Sequence, residues 1–267
     1  MPRIKEKFAE LSARKEKALI AYIMVGYPNE SSTISAVRGL IKGGADIIEL
    51  GFPFSDPLAD GPIIQNASTI SLDNGTKINR FFDIVKKIRK ETDIPLVLMT
   101  YTNILYHKGY AKFIAEAKSA GIDGFILPDM SIEESKEYLI SAKNMADTIF
   151  LISPNTTKSR IEKISKSSTG FLYLVAVYGT TGAKIGIQNY TLNAIRKVKK
   201  ITRGKIPVGV GFGVSTPDDV KKYIKAGADA VIVGSAFLKL IEKTHKNKLE
   251  SSIATFTKSL KKQTIQI

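Results

Sequence analysis

Gly43-Gly-Ala-Asp-Ile-Ile-Glu-Leu50 recurs loosely as Ala120-Gly-Ile-Asp-Gly-Phe-Ile-Leu127 and as Ala226-Gly-Ala-Asp-Ala-Val-Ile-Val233. Each copy puts a glycine where a helix must end with positive φ, an Asp in the turn, and then a short apolar run of strand type. Working outward, strand-like runs fall at Ala18 to Val25, Ile47 to Leu50, Leu96 to Met99, Gly124 to Leu127, Thr148 to Ile152, Phe171 to Val175, Val208 to Val210 and Ala230 to Val233. Helical apolar spacing lies between them, at Ser31 to Ile41, Arg80 to Arg89, Ala111 to Ser119, Ile132 to Asn144, Ser159 to Ser167, Leu192 to Ile201 and Asp218 to Lys225. Strands alternating with helices imply parallel pairing through crossovers. Eight such units favour a closed (β/α)8 TIM barrel over an open doubly wound sheet, with an extra N-terminal helix.

The length of 267 residues suits one barrel domain over 1–267, since such barrels need about 250 residues. No flexible Pro/Gly tract marks a linker. No run approaches the ~18 apolar residues of a membrane span, so a soluble, cytoplasmic protein is expected. Cysteine is absent, which excludes disulfides, thiol nucleophiles and thiolate metal sites. His107 and His245 are far apart without acidic residues at ligand spacing, so no metal site is expected. General acid-base chemistry then falls to carboxylates, Tyr or Lys.

The net charge of +15 suits a polyanion, an anionic substrate or a solvated surface. Basic runs such as Lys86-Lys87-Ile88-Arg89-Lys90 and Arg196-Lys197-Val198-Lys199-Lys200 sit on helical segments without interleaved aromatics. That pattern reads as solvated helix faces rather than specific nucleic-acid recognition.

The second strand carries the most informative residue. Glu49 interrupts the apolar run Ile47-Ile48-Glu49-Leu50, where an ionised carboxylate costs several kcal/mol unless it is paired or takes up a proton. A Pro/Gly-rich loop follows and delivers a second acid, Asp60. Two acids at the C-terminal end of a barrel strand furnish a cleft for proton transfer. The competing reading is a core carboxylate tied to an Arg or a backbone amide.

Two glycine-rich turns follow the last strands, Val208-Gly-Val-Gly-Phe-Gly-Val-Ser215 and Val233-Gly-Ser-Ala236. Glycine lets backbone N–H groups approach a ligand, and a helix N-terminus beyond the turn favours an anion. Their place after strands seven and eight matches the usual phosphate site of such barrels, although glycines can also serve tight turns alone. Tyr173 to Gln188, with Gly179-Thr-Thr-Gly182, reads as a loop able to fold over a ligand, or as an ordinary surface loop.

Leu50-Gly-Phe-Pro-Phe-Ser-Asp-Pro-Leu-Ala-Asp-Gly-Pro-Ile-Ile-Gln-Asn-Ala67, with Glu49 just before it, resembles the signature of the tryptophan synthase alpha subunit family. The resemblance extends over essentially the whole chain, through Gly26-Tyr-Pro28, Tyr101-Thr-Asn103, Asp129, Gly179-Thr-Thr-Gly182 and both terminal glycine turns. It implies retro-aldol cleavage of indole-3-glycerol phosphate to indole and glyceraldehyde 3-phosphate, without a cofactor in this chain. Glu49 is then the general acid-base residue and Asp60 the acceptor of the indole N–H. By the same resemblance Gly182, Gly211, Phe212, Gly213, Gly234 and Ser235 hold the phosphate, Tyr173 positions the glycerol side, and Thr181 serves the closing loop. Tyr22, Tyr101 and Ile126 neighbour the indole. The family's partner is a pyridoxal-phosphate beta subunit in an alpha2beta2 assembly, so pyridoxal phosphate is expected only there. A free-standing lyase and a silent phosphate-binding barrel are the alternatives. Tyr22, Tyr27 and Ala176-Val177-Tyr178 depart from the family pattern, which bears on loop closure and not on the proton chemistry.

Overall fold

The computed structural model describes residues 2–176 and 189–265. Its nine strands are β1 (Ala18–Met24), β2 (Ile47–Gly51), β3 (Leu96–Met99), β4 (Gly124–Ile126), β5 (Asp147–Ile149), β6 (Leu151–Ile152), β7 (Leu172–Val175), β8 (Val208–Gly211) and β9 (Ala230–Val233). They form one sheet in the order β5-β4-β3-β2-β1-β9-β8-β7-β6, and every pairing among the described residues is parallel. The sheet's two ends are one stretch of chain, because only Phe150 separates β5 from β6. There the pairing passes from β4 to β7, and Tyr173 N donates to Phe150 O at 3.0 Å. The expected fifth strand is thus present but broken where the barrel closes.

Strands β1 to β5, β8 and β9 are buried from end to end, as parallel strands covered on the outside by helices and filled on the inside by side chains must be. The outer ring comprises α2 (Glu30–Gly43), α4 (Ile78–Arg89), α6 (Tyr110–Ala120), α7 (Lys136–Ala142), α8 (Lys158–Ser167), α9 (Asn189–Thr202), α10 (Pro217–Lys225) and α11 (Ser235–Lys243). The expected N-terminal helix is α1 (Arg3–Ala13); its Ile4 Cδ1 lies 2.9 Å from where a Cβ on Gly124 would stand, so Ile4 closes the barrel floor. The helix expected over Ile132 to Asn144 is shorter, because Ser131 ties off a turn at Glu134 and Asn144 takes φ 63°.

Among the described residues, four helices lie outside the expected helical segments: α3 (Pro62–Asp73), α5 (Thr102–Lys108), α11 and α12 (Leu249–Ile265). The last packs on α2 at close range: a Cβ on Gly39 would come within 2.7 Å of Ile253, and one on Gly43 within 2.4 Å of Thr257.

The repeated Gly-x-Asp turns build the N-terminal end of the barrel. Gly44, Gly121 and Gly227 take φ of 86°, 109° and 103°, the left-handed region that ends a helix at low cost only for glycine. The three aspartates then reach across to the preceding strand's backbone: Asp46 accepts Leu19 N–H at 2.7 Å, Asp123 accepts Leu96 N–H at 2.9 Å, and Asp229 accepts Val208 N–H at 3.0 Å. Lys261, Arg89 and Lys199 neutralise them in turn, at 2.8, 2.7 and 2.6 Å. Several of the chain's many cations are therefore structural.

Candidate active site

Alternation along β2 turns Ile48 and Leu50 one way and Glu49 the other, into the barrel beside Tyr22 of β1 and Val97 of β3, its partners in register. Glu49 is 1% exposed. Neither carboxylate oxygen has a hydrogen-bond partner among the described residues, which removes the reading of a tied structural acid. Burial, and then the negative charge of Asp60, push its pKa up to about 8.

Asp60 reaches the same place from the loop after β2, which is held tightly. Phe54 N donates to Ser68 Oγ at 2.8 Å and Ser68 Oγ donates back to Phe54 O at 2.8 Å. The Gln65 side chain donates to Asp60 O at 2.8 Å. Tyr101, stacked on Phe54 with ring centres 5.0 Å apart, accepts from Ala59 N at 3.1 Å and donates its hydroxyl to Asp60 Oδ2 at 3.0 Å. Among the described residues Asp60 Oδ1 is buried without a partner. Burial raises Asp60 to about 6, against the lowering effect of the Tyr101 hydroxyl. Near neutral pH these shifts leave the proton on Glu49 and the negative charge on Asp60.

Tyr22, Glu49, Asp60, Tyr173, Phe212 and Gly213 line one cavity, together with Gly234 and Ser235. Two tyrosines lean over glycines in neighbouring strands. A Cβ on Gly51 would meet the Tyr22 hydroxyl at 2.3 Å, and one on Gly211 would meet the Tyr173 hydroxyl at 2.2 Å. Gly211 is thus the platform under Tyr173 rather than a lining residue. Tyr101 acts on the cavity through Asp60, and Ile126 is fully buried in β4, paired with the lining residue Met99. Ile64, Met99, Val214 and Ile232 also line the cavity and carry no local signal beyond being apolar. Thr181 and Gly182 lie outside the described residues.

The two glycine turns differ usefully. Phe212 and Gly213 have φ of 75° and 73°, an uncommon pair of consecutive left-handed residues that turns successive amides to one side. Phe212 is held by an edge-on contact with Tyr173, ring centres 6.0 Å apart. The N-terminus of α10 is already occupied by its own capping box, with Asp219 accepting from Ser215 N and Thr216 N. The N-terminus of α11 has Gly234 at its N-cap and no side-chain cap, so its dipole and first amides face the cavity mouth unclaimed by a side chain.

Among the described residues no cluster of His, Cys, Asp or Glu could hold a metal ion, and no helix is long and apolar enough to cross a membrane.

The family model described as tryptophan synthase alpha chain matches residues 8–265. The tryptophan synthase alpha chain of Methanosarcina barkeri is 47% identical over 241 residues, spanning 90% of this chain and 89% of that one. That of Acaryochloris marina is 40% identical, spanning 98% of this chain and 97% of that one. Among solved structures, Mycobacterium tuberculosis tryptophan synthase superposes with a TM-score of 0.89 at 30% identity, over 99% of each chain. The tryptophan synthase α2β2 complex of Pyrococcus furiosus does so with a TM-score of 0.85 at 39% identity, over 92% of this chain and 98% of that one. A barrel with two differently poised acids, two glycine turns at their cavity and relatives of this closeness leads to one assignment: the chain belongs to the tryptophan synthase alpha chain family.

Proposed function

We propose that this chain cleaves indole-3-glycerol phosphate to indole and glyceraldehyde 3-phosphate by a retro-aldol reaction, using its own side chains. The observation that carries the proposal is Glu49, an unpartnered buried acid held protonated near neutral pH beside an ionised Asp60. Glu49 gives its proton to indole C3, which leaves positive character on the ring nitrogen. Asp60 accepts the ring N–H and stabilises that charge. The Glu49 carboxylate then takes the proton of the side-chain hydroxyl. As the carbonyl forms, the bond to C3 breaks, its electron pair returns to the ring, and Glu49 ends protonated as it began. No other acid or base is needed.

The phosphate is held by Phe212, Gly213, Gly234 and Ser235, with Gly182 added by resemblance. Tyr173 positions the glycerol chain, and the apolar Ile64, Met99 and Ile232 face the indole. By resemblance, Thr181 serves a loop that closes over the substrate. The test of the cradle is direct. Gly213→Val must force a branched side chain into φ 73°, and Gly234→Val brings a Cβ within 3.2 Å of Tyr22. Both should weaken glycerol phosphate by about tenfold or more while free indole changes little. Equal weakening of the two ligands in a titration would make the glycines merely structural.

Tyr101→Phe separates positioning from packing. The ring stays, but the bond that lowers Asp60 is gone, so the Asp60 pKa rises further above about 6. The acid limb of the kcat/KM profile should shift to higher pH. An unchanged limb would show that Asp60 ionisation does not govern cleavage.

By resemblance to the Pyrococcus furiosus α2β2 complex, whose components activate each other, the partner is a beta subunit, and pyridoxal phosphate belongs there. Exposed Leu58 and Tyr106, on the loop after β2 and on α5, lie at the same barrel end as the cavity and support a partner there.

A further inference from the structure

The opposite end of the barrel holds a larger cavity, of about 1260 Å³, between α8 and α9. Its floor is apolar, made by Phe8, Ile201, Ile206 and Pro207. Its rim is basic: seven Lys or Arg side chains line the cavity against one carboxylate, Glu162, a local excess of about six positive charges. Lys158 is matched by Glu162 at 4.0 Å, and Lys197 donates to Thr156 O at 2.8 Å. Lys5, Lys166, Lys200, Arg203 and Lys205 are exposed, and no carboxylate lies within ion-pair reach of them among the described residues.

Helix polarity does not account for this excess. The C-termini of α8 and α9 both end at the cavity, each worth roughly half a negative charge, which offsets only about one of the six positive charges. Some cations elsewhere in the chain are matched, as Arg38 is with Glu91, Lys87 with Glu30 and Lys261 with Asp46. Like charges gathered this closely repel one another and are best stabilised by a multivalent anion. The volume exceeds the roughly 300–1,000 Å³ of typical small-molecule sites.

We infer that this cavity is a second anion site, separate from the catalytic phosphate cradle, and that it takes soluble polyphosphates: linked phosphate chains, free or carried on a nucleoside. The linked phosphates lie along Lys166, Lys200, Arg203 and Lys205, and a nucleoside, where present, covers the Phe8 and Ile206 floor. A single phosphate engages too few of these cations to bind well. The site lies at the N-terminal ends of β7 and β8, and the cradle at the C-terminal ends of β8 and β9, so the two fill independently.

Isothermal titration of tripolyphosphate and of a nucleoside triphosphate into the full chain, at about 150 mM salt and with excess glycerol phosphate filling the cradle, tests this. Both should bind. The triple variant K166Q/K200Q/K205Q should weaken them by about tenfold or more, with basal cleavage unchanged. The control K90Q/K258Q/K262Q removes the same charge from exposed sites elsewhere and should change binding by less than about twofold. If circular dichroism shows the triple variant misfolded, K200Q and K205Q singly should each still weaken binding. Equal losses in cavity and control variants, no binding by the unaltered chain, or binding confined to long RNA would each overturn the assignment.

Discussion

Glu49→Gln should lower the rate of indole formation by at least about 10² while indole-3-glycerol phosphate still binds. The substitution keeps size and shape and removes only the exchangeable proton. Every other feature of the cavity stays in place, including the Asp60–Tyr101 bond and the glycine cradle. The loss should fall in kcat rather than in KM, because the group acts on the reacting atoms and the cradle supplies the binding. A single-turnover assay at saturating substrate separates the two. Turnover within a few-fold of the unaltered chain would remove Glu49 from the chemistry.

The same variant should be more stable than the parent near neutral pH, by roughly 3–4 kcal/mol. The sign follows from the direction of the shift. In the unfolded chain Glu49 ionises around its ordinary value of 4.5, whereas in the barrel it holds its proton up to about 8. Below pH 4.5 both states are protonated, and the group contributes nothing to the pH dependence. Above that pH only the unfolded state ionises freely, so the cost to the folded state grows with pH and levels off above about 8. Gln cannot ionise and escapes this cost, although its amide is as poorly partnered as the neutral carboxyl. Denaturant melts at pH 4 and pH 7.5 should therefore show near-equal stabilities at the lower pH and a gain for the variant at the higher. A loss of stability at pH 7.5 would mean that Glu49 is a structural acid after all. Gain of stability with loss of catalysis is the signature of a functional site built against packing preference.

How far the sequence reveals this site depends on what each residue does. The strands are legible because a parallel barrel buries both faces of each, leaving short apolar runs between glycine and aspartate turns. Glu49 is legible for the opposite reason, as an acid standing inside such a run. The aspartates of the repeated turns are legible as turn residues, but their reach to the preceding strand's backbone depends on neighbours remote in sequence, as with Asp123 and Leu96. The leaning of Tyr22 over Gly51 and of Tyr173 over Gly211 is likewise a cross-strand fact, hinted at only by glycine in a strand interior. Ile64, Met99, Val214 and Ile232 are invisible beforehand because apolar lining and apolar core look alike. Helix α12 is missed because its place is set by Gly39 and Gly43 on α2, whose missing side chains leave room for it. Ile126 shows the converse limit: its position follows the family pattern, yet its side chain is core beside Met99.

The central claim is that this chain breaks the bond at indole C3 with two carboxylates in one cavity. Its most direct test is to incubate the purified chain with indole-3-glycerol phosphate in the presence of a chelator, alone and with a beta subunit, and to quantify both products. The account predicts indole and glyceraldehyde 3-phosphate in equal amounts, slowly from the chain alone and faster with the partner. Absence of both products under either condition would contradict it.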